Sequence, residues 1–168
     1  MKVVFSEFVP DFQRYIFPYH VWGFLEEGES VRAAYSRGFL PVAYDMSRFY
    51  LVRGIRVVLP RYTPHGRVRY VQRKCQHIAH ELVDRDSFEL TPAIRDMTDR
   101  YFATQQVNAD YRRNRFHEML AAPFATHVLR FWERASERPV GLVPLFLRDG
   151  IAHYGIPVYD PVDRATTI

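Results

Sequence analysis

Three groups of side chains in this sequence could do chemistry. The first is Cys75, His77 and His80, a Cys-x-His-x-x-His string followed by Glu81. Thiolate, imidazole and carboxylate are the donors that zinc takes, and on a helix His77, His80 and Glu81 would share a face. The string matches no standard zinc signature and has no evident fourth ligand. Ordinary surface histidines are the preferred reading, and no metal or other cofactor is assigned. The second group is His153, Tyr154, Tyr159 and Asp160. A tyrosine hydroxyl can polarise a carbonyl or relay a proton, and a carboxylate can accept a hydrogen bond from an incoming amine. Alternation along one strand would put Tyr154 on a face with Ile156 and Val158, which is also the setting of a core tyrosine. Asp160 could equally cap the turn before Pro161.

The third group is electrostatic. Residues 46–80 hold eight basic side chains and no Asp or Glu: Arg48, Arg53, Arg56, Arg61, Arg67, Arg69, Arg73 and Lys74. The whole chain has 23 basic and 19 acidic residues, so the remaining 15 bases face all 19 acids. A net charge of +4 is therefore a +8 island on a −4 background. A local field of one sign attracts a polyanion far better than the same charges dispersed, which points to RNA first. The competing reading is a plain solvated face, because every base except Lys2 and Lys74 is Arg. Arg112, Arg113 and Arg115 read as the solvated face of a helix, with an extension of the island as the alternative. Tyr15, Phe17, Tyr19 and Trp22 could stack on bases or pack in a core.

These residues need elements to position them, and 168 residues suffice for one domain, or for one domain plus a small N-terminal layer. With 48% hydrophobic and 15% aromatic residues there is material for a packed core. No apolar run approaches the ~20 residues that span a bilayer, so no membrane partner is expected. Glu7 and Asp11 arrive too early for a signal peptide, and one cysteine excludes an internal disulfide framework, so a cytoplasmic location is expected.

The N-terminal third reads mostly as strands. Ser30 caps a short helix that runs through Tyr35 and stops at Gly38. Phe49 to Leu59 reads as one long strand, and residues 67–73 as strand or helix. Thr91-Pro92 is an N-cap and N1 pair for a helix to about Gln106. Asn108 caps a second helix with Tyr111, Phe116, Met119 and Leu120 in its apolar stripe, ended by Pro123. Three strands follow, about 126–133, 140–147 and 151–159, with Asp149-Gly150 as a hairpin turn. The fold class expected is mixed α+β. Residues 1–80 are expected to form a strand-rich layer carrying the basic island and 81–168 a core, with one continuous domain as the alternative.

Two helices leading into an antiparallel meander resemble the first half of the GNAT acyltransferase fold, so residues 81–168 are expected to form the first part of a GNAT-like core. The segment from Arg138 to Pro161 resembles the arginyl-tRNA–protein transferase family, in which a Val-Gly strand turns into a strand ending in Tyr-Asp-Pro. Here these words are Val140-Gly141 and Tyr159-Asp160-Pro161. Tyr101 to Ala103 and Thr126 to Leu129 are similar to words in bacterial members. Arg69 to Lys74 is similar to the basic stretch between the family's N-terminal layer and its GNAT core. Glu7 to Trp22 and Gly38 to Pro41 are similar too, so short motifs cover most of the chain.

The resemblance implies transfer of an amino acid from aminoacyl-tRNA to the N-terminal amine of a protein, a degradation mark. It places Arg67, Arg69, Arg73 and Lys74 on the tRNA backbone, and Tyr154, Tyr159 and Asp160 near the acceptor amine. Aminolysis of an activated ester needs the amine held against the ester carbon and the carbonyl polarised, with no metal. The chain departs from the family at two points. It lacks the paired N-terminal cysteines that hold a cluster or haem in some members. It also ends seven residues after Pro161, without the Ser-Leu-Gly-like loop or the Gly-rich acyl-CoA loop that would follow the fourth strand. The expectation is therefore either a fragment whose missing half another polypeptide supplies, or a chain that has lost donor binding, with a partner or second copy covering the edge left after the fourth strand if it is a binding module. The alternatives are a non-catalytic GNAT-like binding module and, further off, a CoA-dependent N-acyltransferase.

Overall fold

A computed structural model describes residues 1–5, 21–42, 44–52, 57–105 and 108–161. The chain is a mixed α+β protein with two antiparallel sheets and, among the described residues, four α-helices. It divides into two compact units, residues 1–56 with 149–151 and residues 57–148 with 152–168. The sequence-based boundary near residue 80 leaves helix 66–74 in the N-terminal layer and cuts strand 78–84, whereas both elements cluster whole with the second unit.

The first unit is a four-stranded sheet. Strands β1 (Lys2–Phe5), β2 (Val21–Phe24), β3 (Phe39–Pro41) and β4 (Phe49–Leu51) pair in the order β1-β2-β4-β3. Helix α1 (Val31–Ser36) begins where Ser30 accepts from the Ala33 amide and ends before Gly38, whose φ of 88° suits only glycine well. Ala34, Tyr35, Phe39 and Phe49 make its core. The long strand expected from Phe49 to Leu59 is not formed. β4 stops at Leu51, residues 53–56 lie outside the described set, and Leu59–Arg61 is a 3-10 turn with Pro60 inside it. Proline has no amide for a ladder, which suits a turn and not a strand at Leu59–Arg61. Tyr15, Phe17 and Tyr19 also lie outside the described residues, while Trp22 is half-buried in β2.

The second unit starts with helix α2 (Gly66–Lys74), the choice that the sequence left open. Val68, Val71 and Cys75 recur at helical spacing and are half-buried, while Arg67, Arg69, Tyr70, Gln72, Arg73 and Lys74 are exposed. Strand β5 (Ile78–Asp84) follows, then α3 (Pro92–Ala103), α4 (Ala109–Ala121), β6 (His127–Glu133), β7 (Pro139–Arg148), β8 (Ile151–Tyr154) and β9 (Val158–Tyr159). The sheet order is β5-β6-β7-β8, with β9 also pairing β7. Thr91 accepts from the Ile94 amide and Pro92 opens α3, as expected. Asn108 sits at the N-cap of α4 in a left-handed conformation with no side-chain cap bond, and Tyr111 is exposed instead of joining the apolar stripe. Asp149 and Gly150, with φ of 54° and 72°, turn β7 into β8.

Register decides which face each residue takes. Leu142 pairs Arg130 and Val158, and Val128 pairs Pro144. Val128, Leu142 and Val158 pack under Ile94, Met97, Phe102 and Phe116 of α3 and α4. The opposite face carries Leu82, Leu129 and Val143 in one row, and His80, Phe131, Gly141 and Tyr159 in the next. No helix among the described residues is long and apolar enough to cross a membrane.

Candidate functional site

The second face of the sheet and helix α2 enclose a cleft of about 620 Å³. Val71 and Cys75 of α2 form one wall, and Ile78, Phe131, Val143 and Tyr159 line the sheet side. Sites of about 300–1,000 Å³ suit small-molecule groups, and apolar walls with few polar ones are their common make-up. Among the described residues the polar lining is Gln72, Gln76, His80, Arg134 and Tyr159, with no Asp or Glu.

Electrostatics reinforces this. Helix α2 carries Arg67, Arg69, Arg73 and Lys74 and no acidic residue. Arg73 and Lys74 occupy its last turn, where the helix dipole favours cations. None of the four makes an ion pair among the described residues. Arg134, at the cleft, donates from Nε to the Gln76 carbonyl at 3.1 Å and likewise has no acidic partner among them. The rest of the unit behaves differently. Arg113 meets Asp99 and Asp110, Arg115 meets Glu118, and Arg130 pairs with Glu81 across the ladder. Arg112 donates to Gln105 at 2.8 Å. These arginines of α4 form a locally paired, solvated face. Within the island, Arg53 and Arg56 lie outside the described residues, Arg48 belongs to the first unit, and the cations from Arg61 to Lys74 to the second.

Asp160 is only 2% exposed. Arg138 Nη1 reaches its Oδ2 at 2.6 Å and Arg100 Nη2 reaches the same oxygen at 3.2 Å. The Asp160 amide donates to the Val140 carbonyl at 2.9 Å. Arg100 also pairs with Asp96 on its own helix. The carboxylate thus locks the exit of β9 to α3 and to the start of β7. A buried carboxylate held this way positions its neighbours rather than waiting open for a ligand. Neither arginine is recognisable as its partner from local sequence, since they lie 60 and 22 residues away.

Tyr154 corrects the core reading. It is 70% exposed, because the strand expected over 151–159 breaks at Gly155 to Pro157. The Gly155 amide donates to the Pro144 carbonyl at 2.7 Å, and a Cβ on Gly155 would meet Met119 Sδ at 2.2 Å. The interruption shifts the side-chain alternation, so Tyr154 falls out of step with Val158. Tyr159, 41% exposed, reaches the cleft and stacks edge-on with Tyr101 at 4.9 Å. Burial, with Tyr159 second, raises the Tyr101 hydroxyl above its ordinary pKa. His153 turns inward, edge-on to Phe124, and burial pulls its imidazole below 6.5.

Cys75 closes α2, His77 lies in the turn after it, and His80 is in β5, so the histidines do not share a helix face. No group of three or more His, Cys, Asp or Glu is placed to hold a metal among the described residues. Strand β5 was missed in the sequence, although Ile78, His80 and Leu82 alternating with Ala79, Glu81 and Val83 was a signal for it.

Comparisons of the chain with protein-family models, curated proteins and solved structures return no match. What the coordinates define is the class: a two-unit α+β protein with an apolar cleft under a cationic helix.

Proposed function

We propose that this chain is an aminoacyl-tRNA–protein transferase-like protein of GNAT type. The observation that carries this is the pairing of an acid-free cationic helix with an apolar cleft beneath it. Such a pairing suits a ligand with a polyanionic body and a small acyl group. The order α3-α4-β6-β7-β8, with a broken final strand, supports the GNAT part. Arg67, Arg69, Arg73 and Lys74 take the tRNA phosphates. Tyr159, at the cleft, polarises the ester carbonyl or relays the proton, Asp160 holds β9 so that Tyr159 stays in place, and Tyr154, which does not line the cleft, takes no part. The N-terminal amine of the acceptor protein attacks the ester carbonyl carbon. The resulting oxyanion collapses, the bond to the ribose oxygen breaks, and the amine proton passes to that oxygen.

Four phosphate contacts to single-stranded or duplex RNA predict a log–log salt slope of roughly −2.8 to −3.6. Affinity for unfractionated tRNA should then fall about 50–150-fold between 50 and 200 mM salt. Fluorescence anisotropy of the intact chain measures this, and Arg69→Glu, Arg73→Glu and Lys74→Glu together should abolish binding. If the triple reversal leaves tRNA affinity and its salt slope intact, the transferase reading fails.

A further inference from the structure

The segment that leads into α2 exposes side chains a core would take. Residues 57–63 are all exposed, with Leu59 at 66% and Val57, Val58 and Tyr62 beside it. They stand on a closed turn. The Arg61 amide donates to the Val58 carbonyl at 2.9 Å, and the Tyr62 amide to the Leu59 carbonyl at 3.0 Å. Cations attend this apolar tip. Arg61 lies within the turn, and α2 begins four residues after Tyr62, a stretch that spans at most about 14 Å. It brings the exposed Arg67, Arg69, Arg73 and Lys74, in the same compact unit. The sequence from 46 to 80 holds no Asp or Glu.

The apolar side chains select among polyanions. A nucleic acid offers phosphates and ring faces, and aliphatic Val57, Val58 and Leu59 match neither. A groove on a protein takes alternate residues of an extended segment or one stripe of a helix. Here consecutive side chains are exposed around an extended Val58 and a 3-10 turn, so they leave the backbone in different directions. A fluid acyl phase accepts them all, while lipid phosphates take the cations.

We propose that the turn at residues 57–62, with Arg61 and the cations of α2, docks this chain on an anionic lipid bilayer. Leu59, Val57 and Val58 enter the acyl boundary, and Tyr62 lies at headgroup level. The chain lies on the bilayer and does not span it. This surface stands independently of the transferase reading, although the cations of α2 serve both.

The full chain is sedimented with sucrose-loaded vesicles in about 0.1 M salt. The vesicles are phosphatidylcholine, alone or mixed with phosphatidylglycerol. Binding to the mixed vesicles should be at least about 20-fold stronger. Val58→Ser with Leu59→Ser should weaken it at least about tenfold, and Arg61→Ala about fivefold. Urea midpoints should hold, since these side chains are exposed. In Leu59→Trp the new indole should be quenched by acyl-brominated lipid more than Trp22 and Trp132 are in the unmodified chain. No binding to mixed vesicles overturns the proposal, as does equal binding by the double serine variant or an unquenched indole. The tRNA titration of the double variant should be unchanged. A parallel loss there would give the turn to RNA and overturn the membrane assignment. Vesicle binding without tRNA binding sinks the transferase reading alone.

Discussion

Asp160 is the most exacting test of how this structure is held together. Removing one partner from a fully buried ion pair costs about 3–5 kcal/mol, because the other charge is stranded. In Asp160→Asn the groups left behind are Arg100 and Arg138, whose side chains are 36% and 39% exposed. They can turn into water, and the new amide oxygen can still accept one of their bonds. The expected loss is therefore below that range, about 2 kcal/mol. Arg138→Met is the harsher change, since it takes the 2.6 Å contact from a carboxylate that is 2% exposed. It should cost about 3 kcal/mol. Urea unfolding followed by tryptophan fluorescence gives the measurement. The chain has two tryptophans, Trp22 in the first unit and Trp132 in the second, so a Trp22→Phe background isolates the unit that contains Asp160. With a slope of about 2 kcal/mol per molar urea, Asp160→Asn should lower the midpoint by about 1 M. The gap should survive 0.5 M salt, because a buried charge is little screened. A loss under about 0.5 kcal/mol for both variants would refute the clamp.

Gly155→Ala should destabilise the second unit by about 1–3 kcal/mol. The new methyl would press on the Pro144 carbonyl at 3.0 Å as well as on Met119, and that carbonyl is tied to the Gly155 amide. An unchanged midpoint would mean the break at Gly155 to Pro157 is not a close approach. His153 makes stability depend on pH in a stated direction. Burial lowers its folded pKa below 6.5, so the unfolded chain binds more protons. Its contribution is complete above pH 6.5 and is lost as pH falls toward the depressed folded value. Urea midpoints at pH 5 and pH 8 should converge in His153→Phe relative to the unmodified chain, and an unaltered difference would contradict this.

What the sequence determined by itself was local. Ser30, Gly38, Thr91-Pro92 and Asp149-Gly150 act within three or four residues, so their caps and turns are legible without any partner. The apolar periodicity of α3 and the pairing of apolar β7 with β6 and β8, its neighbours along the chain, follow from the same short range. The absence of acid from residues 46–80 was equally plain, though not that part of it would become one exposed helix face.

Tertiary structure decided the remainder, because those features depend on contacts across long stretches of chain. Strand β5 gains its ladder among the described residues from β6, about fifty residues on, and Pro60 lies in a 3-10 turn where the sequence suggested the end of a strand. The cleft exists because α2 covers one end of the sheet's second face. Tyr154 was assigned to the core by counting twos, and the break at Gly155 to Pro157 ends that count. Asp160 could not be read as a clamp, since its two guanidiniums come from the last turn of α3 and the start of β7. Charge and capping are properties of neighbours along a chain, whereas burial is a property of neighbours in space.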